Sequence, residues 1–224
     1  MIEHLLKFAK KELSSFSIIP AYIGSLEGLM TLYRGGSDVA AVHLFDPSTQ
    51  TYNLPFINQL FVHEPITVVR IAAREQGIMT KKGNPKSIHT FDDLVRKGVT
   101  FTNRQKGSGT RFIFDSYLSK HNIDPSDITG YESEEWNHLS TASTVRSGAS
   151  DCAFGIRSAA IQLDLDFMPI TIEHFDLVFR WSDQNKQGLE ELLSLIQSPQ
   201  FMASVQTIEG YDFTQLGTII YDRH

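Results

Sequence analysis

The chain is poor in cysteine, in positive charge and in long apolar runs. A single cysteine, Cys152, among 224 residues excludes an intramolecular disulfide framework, so the fold must rest on its core. Cys152 lies in a strand-like run, Asp151-Cys152-Ala153-Phe154-Gly155, and reads as a small core residue rather than a nucleophile. Twenty Lys and Arg against 26 Asp and Glu give a net charge of −6. Such a chain is a poor nonspecific binder of nucleic acid or membrane, so basic residues that matter must act locally. No stretch approaches transmembrane length. The first 13 residues, MIEHLLKFAKKEL, are amphipathic and carry Glu3, Lys7, Lys10 and Lys11. They lack the apolar run and cleavage site of a secretory signal. The reading is a cytoplasmic protein, or a piece of something longer.

Catalytic signatures are missing as well. The eight histidines are scattered, without metal-ligand spacing, so no metal and no cofactor are expected. There is no Gly-x-Ser-x-Gly elbow and no cysteine paired to a helix-end base. Gly107-Ser108-Gly109-Thr110 lacks the Lys-Ser/Thr and the spacing of a phosphate loop. The expectation is a binding protein rather than an enzyme.

With 41% hydrophobic and 21% charged residues, the chain can build one large core or two small ones. Its most informative stretch is 101–118, FTNRQKGSGTRFIFDSYL. A short β-rich run leads into Arg104, Lys106, Gly107, Ser108 and Gly109, and then into a helical pattern over 110–120. A strand, a cationic Gly/Ser loop and a helix aim free backbone N–H groups and a positive helix end at an anion. An ordinary capped turn with solvated Arg and Lys fits the same residues.

The rest of the chain alternates strand and helix. Helices are expected at 1–14, 26–33, 54–60, 90–96, 139–146, 157–165, 188–196 and 199–207. Strands are expected at 16–23, 39–45, 66–73, 77–80, 128–133, 153–155, 169–172 and 175–181, with 74–76 breaking one pair. That alternation predicts an α/β fold with mainly parallel sheets.

One internal repeat stands out. Arg34-Gly35-Gly36-Ser37-Asp38-Val39-Ala40 recurs as Ser147-Gly148-Ala149-Ser150-Asp151-Cys152-Ala153, an offset of 113 residues (150 − 37). The offset also carries Gly24-Ser25-Leu26 onto Asn137-His138-Leu139. A strand–helix–strand unit thus occurs twice, as in a two-lobed protein. The same offset would put the first lobe's counterpart of the cationic loop before Met1. A late or truncated start is therefore expected, with the first strand missing.

These residues resemble a known family. The motifs are Gly24-Ser25-Leu26-Glu27-Gly28-Leu29, the run from Ser37 to Asp46, Arg74-Glu75-Gln76-Gly77, Gly83-Asn84-Pro85-Lys86 and Asn103–Arg111, followed by Gly155-Ile156-Arg157 and Gly210-Tyr211-Asp212. In that order they are similar to the periplasmic-binding-protein-like domain that often follows a helix-turn-helix in bacterial regulators. The family is similar to molybdate- and tungstate-binding transport proteins and, more loosely, to LysR-type effector domains. The resemblance implies a two-lobed type II fold, with lobe one at 1–75 plus 175–224 and lobe two at 76–174, hinged near 74–77 and 173–179. It implies a small anion, molybdate or tungstate first, held between the lobes. Sulfate, an amino acid or a thiol peptide is not separated from these. In tungstate binders an Arg-x-x-x-Ser-Gly-Thr run contacts the oxyanion, and here that run is Arg104 to Thr110. No helix-turn-helix is present, so any DNA contact of a longer parent protein lies outside these residues.

The candidate ligand-binding residues are Ser25, Arg104, Ser108, Gly109, Thr110, Ser140, Thr141 and Arg157. Ser25 also fits a plain helix start, and Arg104 also fits a partner of a nearby acid. Arg111 and His43 read more naturally as structural, and Tyr131 and Trp136 as packing residues. A different class of function, an assembly module or homodimer with a vestigial cleft, fits a sheet edge bared by the missing strand.

Overall fold

The computed structural model describes residues 1–13 and 15–223. In chain order the elements are α1 (Ile2–Glu12), α2 (Ser25–Tyr33), β1 (Val39–Val42), β2 (Phe45–Asp46), β3 (Thr51–Tyr52), α3 (Leu54–Leu60), β4 (Ile66–Thr80), β5 (Phe101–Arg104), α4 (Gly109–Lys120), β6 (Glu134–Glu135), α5 (His138–Ser147), β7 (Cys152–Ile156), α6 (Arg157–Gln162), β8 (Asp166–Arg180), α7 (Lys186–Ile196), α8 (Pro199–Val205), β9 (Tyr211–Asp212) and β10 (Ile219–Arg223). The chain forms two compact units, Met1–Ala73 with His174–His224, and Arg74–Glu173. Strands β4 and β8 each contribute residues to both.

In the first unit, β1 runs antiparallel to β8, with Val39 opposite Phe179 and Val42 opposite Asp176. Strand β10 runs antiparallel to β4, with Arg223 opposite Ile66. One core packs Val69, Ile71, Leu177 and Phe179 against α1, α7 and α8 through Leu5, Leu192, Ile196 and Phe201. A second packs α2 and α3 on the other strands through Leu29, Leu32, Ile57 and Phe61. Within this apolar setting Arg70 on β4 pairs with the fully buried Asp176, whose second oxygen accepts from Asn53 Nδ2 at 2.7 Å. Burial pushes the Asp176 carboxyl upward, and Arg70 and Asn53 pull it back.

In the second unit, β7 runs antiparallel to the end of β4, with Cys152 opposite Thr80 and Ile156 opposite Gln76. Strand β5 lies parallel to β7 and to β6. Rings of Phe101 and Phe114 stack at 4.6 Å between centroids, with Phe154 at 5.4 Å from Phe114. That aromatic layer fixes α4 on the sheet. Cys152 is buried and its thiol is pushed up to about 12, chiefly by burial, which makes it inert as a nucleophile.

Several expectations need correction. Mainly parallel sheets were expected, but parallel pairing is confined to β5 with its two neighbours, because β4 and β8 run against β7 and β1. The strand expected at 16–23 is absent. Pro20 supplies no N–H for a ladder, and Ile19 and Tyr22 are exposed, so β-forming side chains there have no sheet to join. The break expected at 74–76 does not occur, since β4 is continuous through it; β8 likewise spans the gap expected between 172 and 175. The strand expected at 128–133 is irregular, and a two-residue strand follows it at Glu134–Glu135. The helix expected at 90–96 is a short 3-10 turn, Asp92–Val95, in which Asp93 accepts the His89 and Thr90 N–H groups. The helix at 1–14 ends at Glu12, and Ser14 lies outside the described residues.

Candidate ligand-binding site

The second unit builds a helix end equipped for an anion. Strand β5 is buried along its whole length, and the chain leaves it through Gln105, Lys106 and Gly107, the last with φ of 86°. Ser108 then caps α4, its Oγ accepting the Arg111 N–H at 3.2 Å. The Phe112 N–H closes the first turn on the Ser108 carbonyl at 3.1 Å. Among the described residues the Gly109 and Thr110 N–H groups have no acceptor, as the first turn of a helix leaves them. The α4 dipole adds partial positive charge at this end.

Beside it lies a buried polar chain. Glu173 Oε2 accepts from Arg74 Nε at 2.6 Å and from Gln76 Nε2 at 2.6 Å. The same Gln76 Nε2 donates to Thr110 Oγ1 at 3.2 Å. Arg74 is 6% exposed, Arg104 7%, and Gln76 and Glu173 are fully buried. Burial first, and then the charge of Arg74, push the Arg104 guanidinium down to about 10. Within this group two guanidinium charges face one carboxylate, an excess of positive charge against the N-terminus of α4.

The other sequence-selected residues are placed as follows. Arg104 spends its donors within the unit: Nε on Gln105 Oε1 at 3.1 Å and the Glu135 carbonyl at 3.3 Å, Nη2 on the Trp136 carbonyl at 3.1 Å, and Nη1 on His138 Nδ1 at 2.9 Å. It therefore ties β5 to the start of α5. Ser140 closes a capping box with Asn137, and the buried Thr141 donates its hydroxyl to the Asn137 carbonyl at 2.8 Å. Arg157, half exposed, pairs with Glu75. Arg111 turns away from the helix end to Asp115, Glu134 and the Tyr131 ring, 4.1 Å from its centroid. Ser25 belongs to the other unit, where it opens α2 and accepts the His43 N–H at 3.3 Å. Arg104, Ser108, Gly109 and Thr110 thus come together with the α5 start, while Arg157 makes a separate surface pair.

Sequence reasoning passed over Gln76 and treated Arg74 and Glu173 as hinge markers. The signal was there: Arg74 and Gln76 interrupt the apolar run from Ile66 to Thr80, and charges buried in a strand must find partners. Among the described residues no cluster of metal-ligating side chains occurs, and no helix is long and apolar enough to cross a membrane.

Fold and helix-end geometry define a substrate-binding domain of the periplasmic-binding-protein type. The model of the PBP superfamily domain matches residues 6–197, and the chain belongs to that family. It is 33% identical over 201 residues to YvgK of Bacillus subtilis (strain 168), covering 90% of this chain and 65% of that one. The chain thus spans about two thirds of that relative's length. The fold is also that of the tungstate ABC transporter structure from Geobacter sulfurreducens, with a TM-score of 0.63, 16% identity and coverage of 91% of this chain and 90% of that one. The regulatory domain of CcmR from Synechocystis PCC6803, in complex with 2-PG, aligns with a TM-score of 0.58, 12% identity and coverage of 88% and 92%.

Proposed function

We propose that this chain is a sensor domain that binds a small oxyanion at the N-terminus of α4, without catalysing a reaction. The observation that carries the reading is the pair of unpaired N–H groups of Gly109 and Thr110 beside the buried Arg74 and Arg104. Converging neutral donors backed by nearby positive charge suit an oxyanion better than direct ion pairing does. Molybdate and tungstate are the first oxyanions to try, on the Arg104-to-Thr110 run and the likeness to a tungstate transport protein. The likeness to a regulatory domain supports a cytoplasmic effector role within a transcriptional regulator.

A thermal-shift panel of molybdate, tungstate, sulfate, phosphate and amino acids tests the reading. A ligand at about a thousand times its dissociation constant adds roughly 4 kcal/mol, and each kcal/mol moves the midpoint of a domain this size by about 2–4 °C. A selective rise of about ten degrees with one oxyanion is expected. A rise confined to amino acids would replace the oxyanion with an organic anion.

A further inference from the structure

The α4 end holds an acceptor as well as donors. Gln76 is fully buried, and its Oε1 has no hydrogen-bond partner. Its amide is oriented by its surroundings: Nε2 meets both the Glu173 carboxylate and Thr110 Oγ1. A flipped amide would set Oε1 against the carboxylate. The carbonyl oxygen is therefore the far end of an amide already bonded to the first turn of α4. On the donor side are the Gly109 and Thr110 N–H groups and the hydroxyl protons of Ser108 and Thr110. Neither hydroxyl donates to an acceptor among the described residues. A buried carbonyl acceptor left unpaired is costly, and native proteins rarely tolerate one without a purpose.

We propose that this end of α4 selects oxyanions that carry a hydroxyl, of the hydrogen phosphate or hydrogen arsenate type, over oxyanions without a proton. The inference rests on the oxyanion reading above and narrows it. The helix end and hydroxyls take the bare oxygens, and the ligand's own O–H donates to Gln76 Oε1. Sulfate, molybdate and tungstate at neutral pH hold no proton. They leave the Gln76 carbonyl unpaired and set an oxygen lone pair against it. A site built to bond a ligand hydroxyl rejects an analogue lacking it far more strongly than a site that merely tolerates one.

Isothermal titration of the full chain at pH 7 with phosphate, arsenate, sulfate and molybdate tests this. The expected result is binding of phosphate and arsenate, with sulfate and molybdate weaker by about 100-fold or more. The variant Gln76→Leu, its fold checked by circular dichroism, should bring the phosphate-to-sulfate ratio down toward one by weakening phosphate alone. The wild-type ratio decides the matter even if that variant does not fold. Sulfate or molybdate binding as tightly as phosphate would overturn the selection and leave the oxyanion reading standing. Binding of none of the four would overturn both.

Discussion

The helix–strand pair α2–β1 of the first unit and the pair α5–β7 of the second are built in the same register. Shifted by 113 residues, Ser25 falls on His138 and Val39 on Cys152, the first residues of corresponding helices and strands. Each helix ends on a left-handed glycine, Gly35 at φ 78° and Gly148 at φ 84°, the conformation that lets a chain turn from helix to strand with least strain. Each strand then pairs antiparallel with the part of a long strand that ends in its own unit, β1 with β8 and β7 with β4. Each unit also buries one Arg–carboxylate pair between those long strands, Arg70–Asp176 in one and Arg74–Glu173 in the other. The helix starts differ. Gly24 gives α2 no side-chain cap, whereas Asn137 and Ser140 close a reciprocal box on α5. Shared ends and strands are what the architecture requires, while the helix starts are free to diverge, as expected where ligand contacts or their loss are decided.

The strongest way to break this comparison is through the two ion pairs. Glu173→Ala and Asp176→Ala should each cost about 3–5 kcal/mol in denaturant unfolding, because a buried guanidinium keeps its charge while its carboxylate is gone. Replacing both Arg74 and Glu173 with Leu should restore most of that loss, since apolar pairs of similar volume avoid the desolvation cost. A loss below about 1 kcal/mol in either single variant would show that the two pairs are not equivalent parts of the two units. The caps sharpen the comparison at smaller scale. Asn137→Ala should cost about 1 kcal/mol, and Gly24→Asn should gain a few tenths by supplying the missing acceptor. Equal responses at the two helix starts in the same unfolding assay would erase the contrast.

Much of the fold was legible because its signals are local. Ser108 as a cap, the helical period after it and the Gly35/Gly148 match all lie within a few residues of what they control. Strand direction and strand continuity were not. Arg74 and Gln76 look like a break until Glu173, 97 residues from Gln76, is seen to accept from both. Gly77 also reads as a break, yet it marks a close approach: a Cβ there would lie 2.0 Å from the Met168 carbonyl oxygen. At the candidate site the helix end could be read directly, whereas the engagement of Arg104 by the Glu135 and Trp136 carbonyls depends on a strand pairing across 31 and 32 residues. Long-range pairing of polar groups leaves no period in the sequence.

The most direct test of the central claim is an NMR titration of the amide resonances with the oxyanion that gives the largest thermal shift. If that oxyanion sits at the N-terminus of α4, the Gly109 and Thr110 N–H protons should move downfield to saturation, with the largest changes in the spectrum. Saturable binding that leaves both amides unmoved would contradict the account and place the ligand elsewhere.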